Sequence, residues 1–167
     1  MTSTETPAGT VQFMNAAQLL EHWQGHRNLT RRVIEAFPEQ DLFAFSIGGL
    51  RTFAKMAVEL ISIGGPALRG IVEGKIEAFD ETAFVPSTKA ELLAKWDEET
   101  VVIHDYFNCI PEGRFQESYN LFGQYDFPIY QNLLYFIDNE VHHRGQGYVY
   151  LRALGIEPPF FWERFDH

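Results

Sequence analysis

From Pro128 to Leu154 the chain carries one long helical pattern, and that stretch limits the fold more than any other. Asp126 and Pro128 make a helix start, because proline's fixed φ suits the first helical turn. Gly155 suits a C-terminal cap, and Pro158-Pro159 blocks continuation. At roughly 100° per residue, Asn132, Asn139, His143, Gln146 and Tyr150 fall on one narrow stripe. Tyr130, Leu134, Ile137, Val141 and Tyr148 fall on the opposite side. A helix with a polar face and an apolar face, both rich in aromatics, is expected to be covered on both sides.

Other helical patterns supply the cover. The first runs from about Val11 to Phe37, with Phe13, Ala16, Ala17, Leu20, Trp23, Leu29, Val33, Ile34 and Phe37 recurring at spacings of three and four. Gly25 is its weak point and Pro38 its stop. After a short apolar link, Leu42 to Phe45, the second spans Ile47 or Gly48 to about Ile63 and buries Phe53, Met56, Leu60 and Ile63. Gly64-Gly65-Pro66 predicts a break there, followed by a shorter helical piece to about Glu73. Gly74 to Pro86 reads as a loop long enough for a crossover. Thr88-Lys-Ala-Glu91 is a capping box. It opens a third helix that reaches about Cys109, with Leu92, Leu93, Trp96, Thr100, Ile103 and Phe107 towards the core. Residues 114 to 126, rich in Phe, Tyr, Gln and Asn, are expected to form extended or irregular cover for a site. No convincing strand alternation is present, so the pattern predicts an all-α, antiparallel four-helix bundle. Phe160, Phe161, Trp162 and Phe165 form an aromatic tail expected to pack back onto it.

Composition narrows the class. The 167 residues suit a single domain over 11–167, preceded by a disordered lead-in, and carry a formal net charge of −10. Nucleic-acid backbones and anionic membranes want a basic surface, so neither is expected as a partner. No apolar run approaches the ~20 residues of a membrane-spanning helix. The N-terminal residues lack the basic-then-apolar form of a signal peptide. Cys109 is the single cysteine, which excludes an intrachain disulfide and suits a reducing cytoplasm. No phosphate loop, Cys-x-x-Cys pair or nucleophile elbow is present.

Several polar groups stand out. Asn139 and His143, spaced i, i+4, can grip one metal ion from the same helix face. Glu59 lies within the apolar stripe of its helix, where an unpaired carboxylate is costly. It needs a cation, a metal or a hydrogen-bond donor. Gln146, one turn beyond His143, can orient a ligand or a bound water. His22 and His26, also i, i+4, form a second geometrically valid metal pair. His104-Asp105 reads as a surface feature, and Cys109 as a buried structural thiol.

The last helix resembles that of the DinB/YfiT family of small bacterial four-helix-bundle proteins. That family's pattern is His-x-x-x-His-(Arg or apolar)-Gly-Gln, then Leu-Arg, then a Gly-(Ile or Leu)-x-Pro-Pro exit. Here it reads Asn139-x-x-x-His143-Arg144-Gly145-Gln146, then Leu151-Arg152, then Gly155-Ile156-Glu157-Pro158-Pro159. The resemblance implies a divalent metal (zinc, nickel, manganese or iron) held by three histidines, one from the second helix and two from the last. Only His143 matches. Asn139 and Glu59 stand at the other two positions, with Glu140 and His142 as the nearest substitutes. Gln146, Tyr150 and Arg144 would surround the site. Two readings stay open. One is a metal-dependent enzyme resembling thiol S-transferases or hydrolases. The other is a non-catalytic, small-ligand-binding or structural bundle in which Glu59 and His143 bond directly. A homodimer is expected, because the last helix has more apolar surface than one intramolecular face needs.

Overall fold

The structure, a computed structural model, describes residues 13–165. The lead-in and the start of the first helical pattern at Val11 lie outside the described residues. Helix α1 spans Ala16–Ala36 and opens on a capping box, with Asn15 bonded to the Gln18 backbone N–H and Gln18 to that of Asn15. A short helix α2, Glu39–Ala44, occupies the link that reads only as apolar sequence. Helix α3, Phe53–Glu73, starts later than the pattern predicts, because Gly48 and Gly49 are in the left-handed region, at φ 61° and 77°. It then runs straight through Gly64-Gly65-Pro66, where a break is predicted. The glycines let neighbours in: a Cβ on Gly64 would lie 3.1 Å from Ile103 and 3.2 Å from Trp23.

Helix α4 is Lys89–Asn108, capped by Thr88. A 3₁₀ turn, Glu112–Gln116, leads into strands β1 (Ser118–Leu121) and β2 (Tyr125–Pro128). They pair antiparallel, Leu121 opposite Tyr125, so the chain is mostly helical but not all-α. Each strand has four residues with no clean in-out alternation, which is why the pattern does not announce them. Helix α5, Ile129–Ala153, ends as predicted: Gly155 is left-handed at φ 76°, and the Ile156 N–H donates to the Leu151 carbonyl at 2.9 Å.

Four long helices close a ring, α1 against α4, α4 against α3, α3 against α5 and α5 against α1. Two apolar layers fill it. One holds Val33, Phe37, Phe53, Leu60, Trp96 and Leu151; the other holds Leu20, Trp23, Leu68, Ile103, Phe107 and Phe136. Each helix crosses both layers, which fixes its direction. α1 and α5 run one way, α3 and α4 the other, and residues 74–88 carry the chain back between the latter two. Antiparallel contact therefore occurs on two sides of the ring only.

Three surface expectations change. Tyr130, Leu134 and Val141 on α5 are 37–44% exposed rather than covered. Cys109 is exposed, since it caps α4 beyond the last buried turn at Phe107. The C-terminal tail docks on α1 through its backbone, the Arg164 side chain and one ring. Asn28 donates to the Arg164 carbonyl and Arg32 to that of Glu163, each at 2.8 Å, while Phe160, Phe161 and Trp162 stay exposed. Phe165 alone lies against α1, over Gly25, where a Cβ would come within 2.7 Å of its ring.

Candidate functional site

Between the two apolar layers the core is polar. Buried side chains there include His26, Arg27, Thr30, Glu99, Glu140, His143 and Arg144. Apart from Glu99, which pairs with Lys95 at 3.0 Å, they form two centres, one where α5 meets α3 and one where it meets α1.

The first centre is the one the sequence singles out. Glu59 on α3 and His143 on α5 meet with Glu59 Oε1 3.2 Å from His143 Nε2. Asn139 donates its side-chain N–H to the same oxygen at 3.1 Å. Glu59 Oε2 accepts from the Arg51 guanidinium, which also reaches Glu81 at 3.4 Å. Burial pushes the Glu59 carboxyl up; bonds from His143, Arg51 and Asn139 outweigh it and hold the pKa at about 2. The side chain is thus an anion with every partner it needs. Gln146 Oε1 lies 2.7 Å from His143 Nδ1 and fixes the ring. Buried Tyr150 donates to the Arg51 carbonyl at 2.9 Å, anchoring the residue that holds Glu59.

Arg51 is the member of this centre that the sequence reading misses. It precedes α3 in an irregular segment, where no periodicity marks it. Three expected site residues lie elsewhere. His142 is exposed. Glu140 and Arg144, i, i+4 on a neighbouring stripe, face α1 and build the second centre.

In that centre Thr30 donates to Glu140 at 2.7 Å, and Arg144 donates to Thr30 at 3.1 Å and to His26 Nδ1 at 2.9 Å. Arg27, fully buried, approaches Glu140 at 3.8 Å and stacks 3.4 Å above the Trp96 ring centre. His22 and His26 do converge, with Nε2 atoms 3.2 Å apart. Their outer nitrogens take guanidinium donors, however: Arg164 on His22 Nδ1 at 3.0 Å and Arg144 on His26. Burial first, then the charges of Arg144, His22 and Arg164, lower the His26 pKa to about 3. A pocket walled by guanidinium groups repels a metal cation, so this pair is structural.

Two cavities flank the first centre. One, about 180 Å³, is lined by Glu59, Glu81, Phe79, Phe122, Tyr125 and Tyr135 among others. The other, about 410 Å³, lies beyond Arg51 and Glu81 against Phe43, Lys55 and Phe84.

The DinB family model matches residues 10–167. A crystal structure of a DinB-like protein from Bacillus cereus is similar in fold, with a TM-score of 0.72 at 17% identity, covering 87% of this chain and 97% of that one. No curated protein matches the chain. Glu59, Asn139 and His143 converge, but their chemistry does not suit a metal. One imidazole remains, the amide is a weak ligand, and a guanidinium already neutralises the carboxylate. Among the described residues, no three His, Cys, Asp or Glu side chains converge.

Proposed function

Because the chain belongs to the DinB family, we propose that it is a four-helix bundle of DinB/YfiT type that binds a small ligand beside a polar centre working without a metal. One observation carries this reading: the Glu59 carboxylate is satisfied by Arg51, Asn139 and His143 together. A buried carboxylate that needed a metal would lack donors in the protein alone. This one has a full cation on one oxygen and two hydrogen-bond donors on the other. The adjoining cavities supply room for a ligand, and Glu59 opens directly onto the smaller one.

A second reading keeps the metal, and one distance favours it. His143 Nε2 and Glu59 Oε1 are 3.2 Å apart, close to the spacing of two donors each about 2.0–2.1 Å from a zinc ion. Zinc, nickel, manganese or iron would then rest on Glu59, Asn139 and His143 and supply Lewis acidity for thiol-transfer or hydrolytic chemistry. Arg51 would have to leave Glu59 first.

Elemental analysis of protein purified without a tag or chelator decides between them. The metal-free reading expects well under one equivalent of any divalent metal. A full equivalent that Glu59→Gln and His143→Ala each abolish defeats it. Either reading is placed in the cytoplasm, as a homodimer joined through the exposed apolar side of α5.

A further inference from the structure

The cavity beside Glu59 has a chemistry of its own. Its polar walls are the carboxylates of Glu59 and Glu81 with the Gln124 amide, and the rings of Phe79, Phe122, Tyr125 and Tyr135 supply most of the rest. No lysine or arginine lines it. Arg51 pairs with both carboxylates but lines the other cavity, which Glu81 also borders. Arg51 holds Glu59 closely and reaches Glu81 only at 3.4 Å, so Glu81 is the less compensated of the two carboxylates facing the rings.

We propose that this cavity binds the charged head of a small organic ammonium ion, an assignment that rests on the ligand-binding function proposed above. Aromatic faces carry negative potential and hold a cation by its whole surface; an adjacent carboxylate adds direct attraction. Only two of the cavity's walls are His, Cys, Asp or Glu side chains, both already reached by Arg51, and ring faces do not coordinate a metal ion. An anion would meet Glu59 and Glu81. The volume of about 180 Å³ suits a head group and not a large molecule.

Phe122 supports the assignment independently. It sits at φ 57°, followed by Gly123 at φ 72°, in the turn between β1 and β2. Two left-handed residues in a hairpin turn ordinarily call for Asn-Gly. A bulky side chain there is disfavoured by its own backbone. Its ring nevertheless stands 5.2 Å from that of Phe79, tilted by 43°, and forms part of the cavity wall. The turn accepts an unfavourable residue at the position that closes the box.

The test is isothermal titration of the full chain in metal-free buffer with choline and with its neutral isostere, in which carbon replaces the quaternary nitrogen. Choline should bind, and the isostere about tenfold more weakly or worse. Phe122→Gly removes one wall while giving the turn a residue it prefers, so the fold survives and choline affinity should drop about tenfold. Glu81→Gln, at a half-buried side chain, should lower it similarly. Equal affinity for choline and the isostere overturns the ammonium assignment while leaving a ligand-binding protein. No binding of either probe overturns the proposal. A full equivalent of metal in the purified protein, with choline binding intact, defeats the metal-free reading and upholds the cavity.

Discussion

A carboxylate set in the apolar stripe of a helix must be compensated, and Glu59 is compensated three times over. That redundancy sets the cost of removing any one partner. His143→Ala takes away one donor while Arg51 and Asn139 stay, so it should destabilise by about 1–3 kcal/mol, the cost of one lost bond to a charged group. Glu140 is the opposite case. It is the carboxylate that answers buried Arg27, and Thr30 links it to Arg144. Glu140→Gln should therefore cost about 3–5 kcal/mol, because it strands buried cations. Urea denaturation of both variants checks the order, and a larger loss at His143 would contradict it. The sequence carries much of the first centre and little of the second. Glu59 and His143 can be paired from helical periodicity plus one family motif. Arg51 cannot, since its position depends on a turn through Gly48-Gly49 and on the Tyr150 hydroxyl. Glu140 and Arg144 are adjacent in sequence to Asn139 and His143. The roughly 100° step between neighbouring residues sends them to a different helix.

At the scale of elements, α3 shows why local signals mislead. Gly64-Gly65-Pro66 opposes a helix by propensity, by roughly 1 kcal/mol per glycine and about 3 for proline. Close packing against α1 and α4 outweighs this, and the glycines are what make it possible. A Cβ on Gly65 would run into the buried Glu99 carboxylate. Gly65→Ala should therefore destabilise by about 1–3 kcal/mol despite alanine's better helix propensity. Thermal unfolding measures it, and a rise in Tm would show that α4 can move aside. The β1–β2 hairpin was hidden for a different reason. Its turn is Phe122-Gly123, outside the usual Asn-Gly signal, and the choice of Phe122 follows from what its ring meets in the fold, Phe79 and the cavity wall. The long patterns of α4 and α5, by contrast, were legible to within a few residues, while α1, read from about Val11, starts only at Ala16, where the Asn15 capping box sets it.

The molecule as a whole is two apolar layers separated by a charged one, and that arrangement should make its stability depend on pH. His26 lies in the middle layer among Arg144, Arg164 and His22, with its pKa lowered from 6.5 to about 3. The unfolded chain therefore binds a proton that the folded chain refuses between those two values. Stability linked to His26 is fully present above pH 6.5 and is lost as pH falls towards 3. Glu59 acts in the same direction at lower pH. Its carboxyl titrates near 4.5 unfolded and near 2 folded, so its contribution is complete above 4.5 and disappears on the way to 2. The two windows overlap between pH 4.5 and about 3. Unfolding free energy, followed by denaturant titration at intervals from pH 7.5 to pH 2 (about the span of both windows), should be flat at first, bend downwards near pH 6.5 and steepen below 4.5. His26→Gln keeps a polar side chain of similar size that cannot titrate, so it should remove the upper bend and leave the lower one. A profile unchanged by that substitution would mean that His26 is not held neutral by the arginines around it.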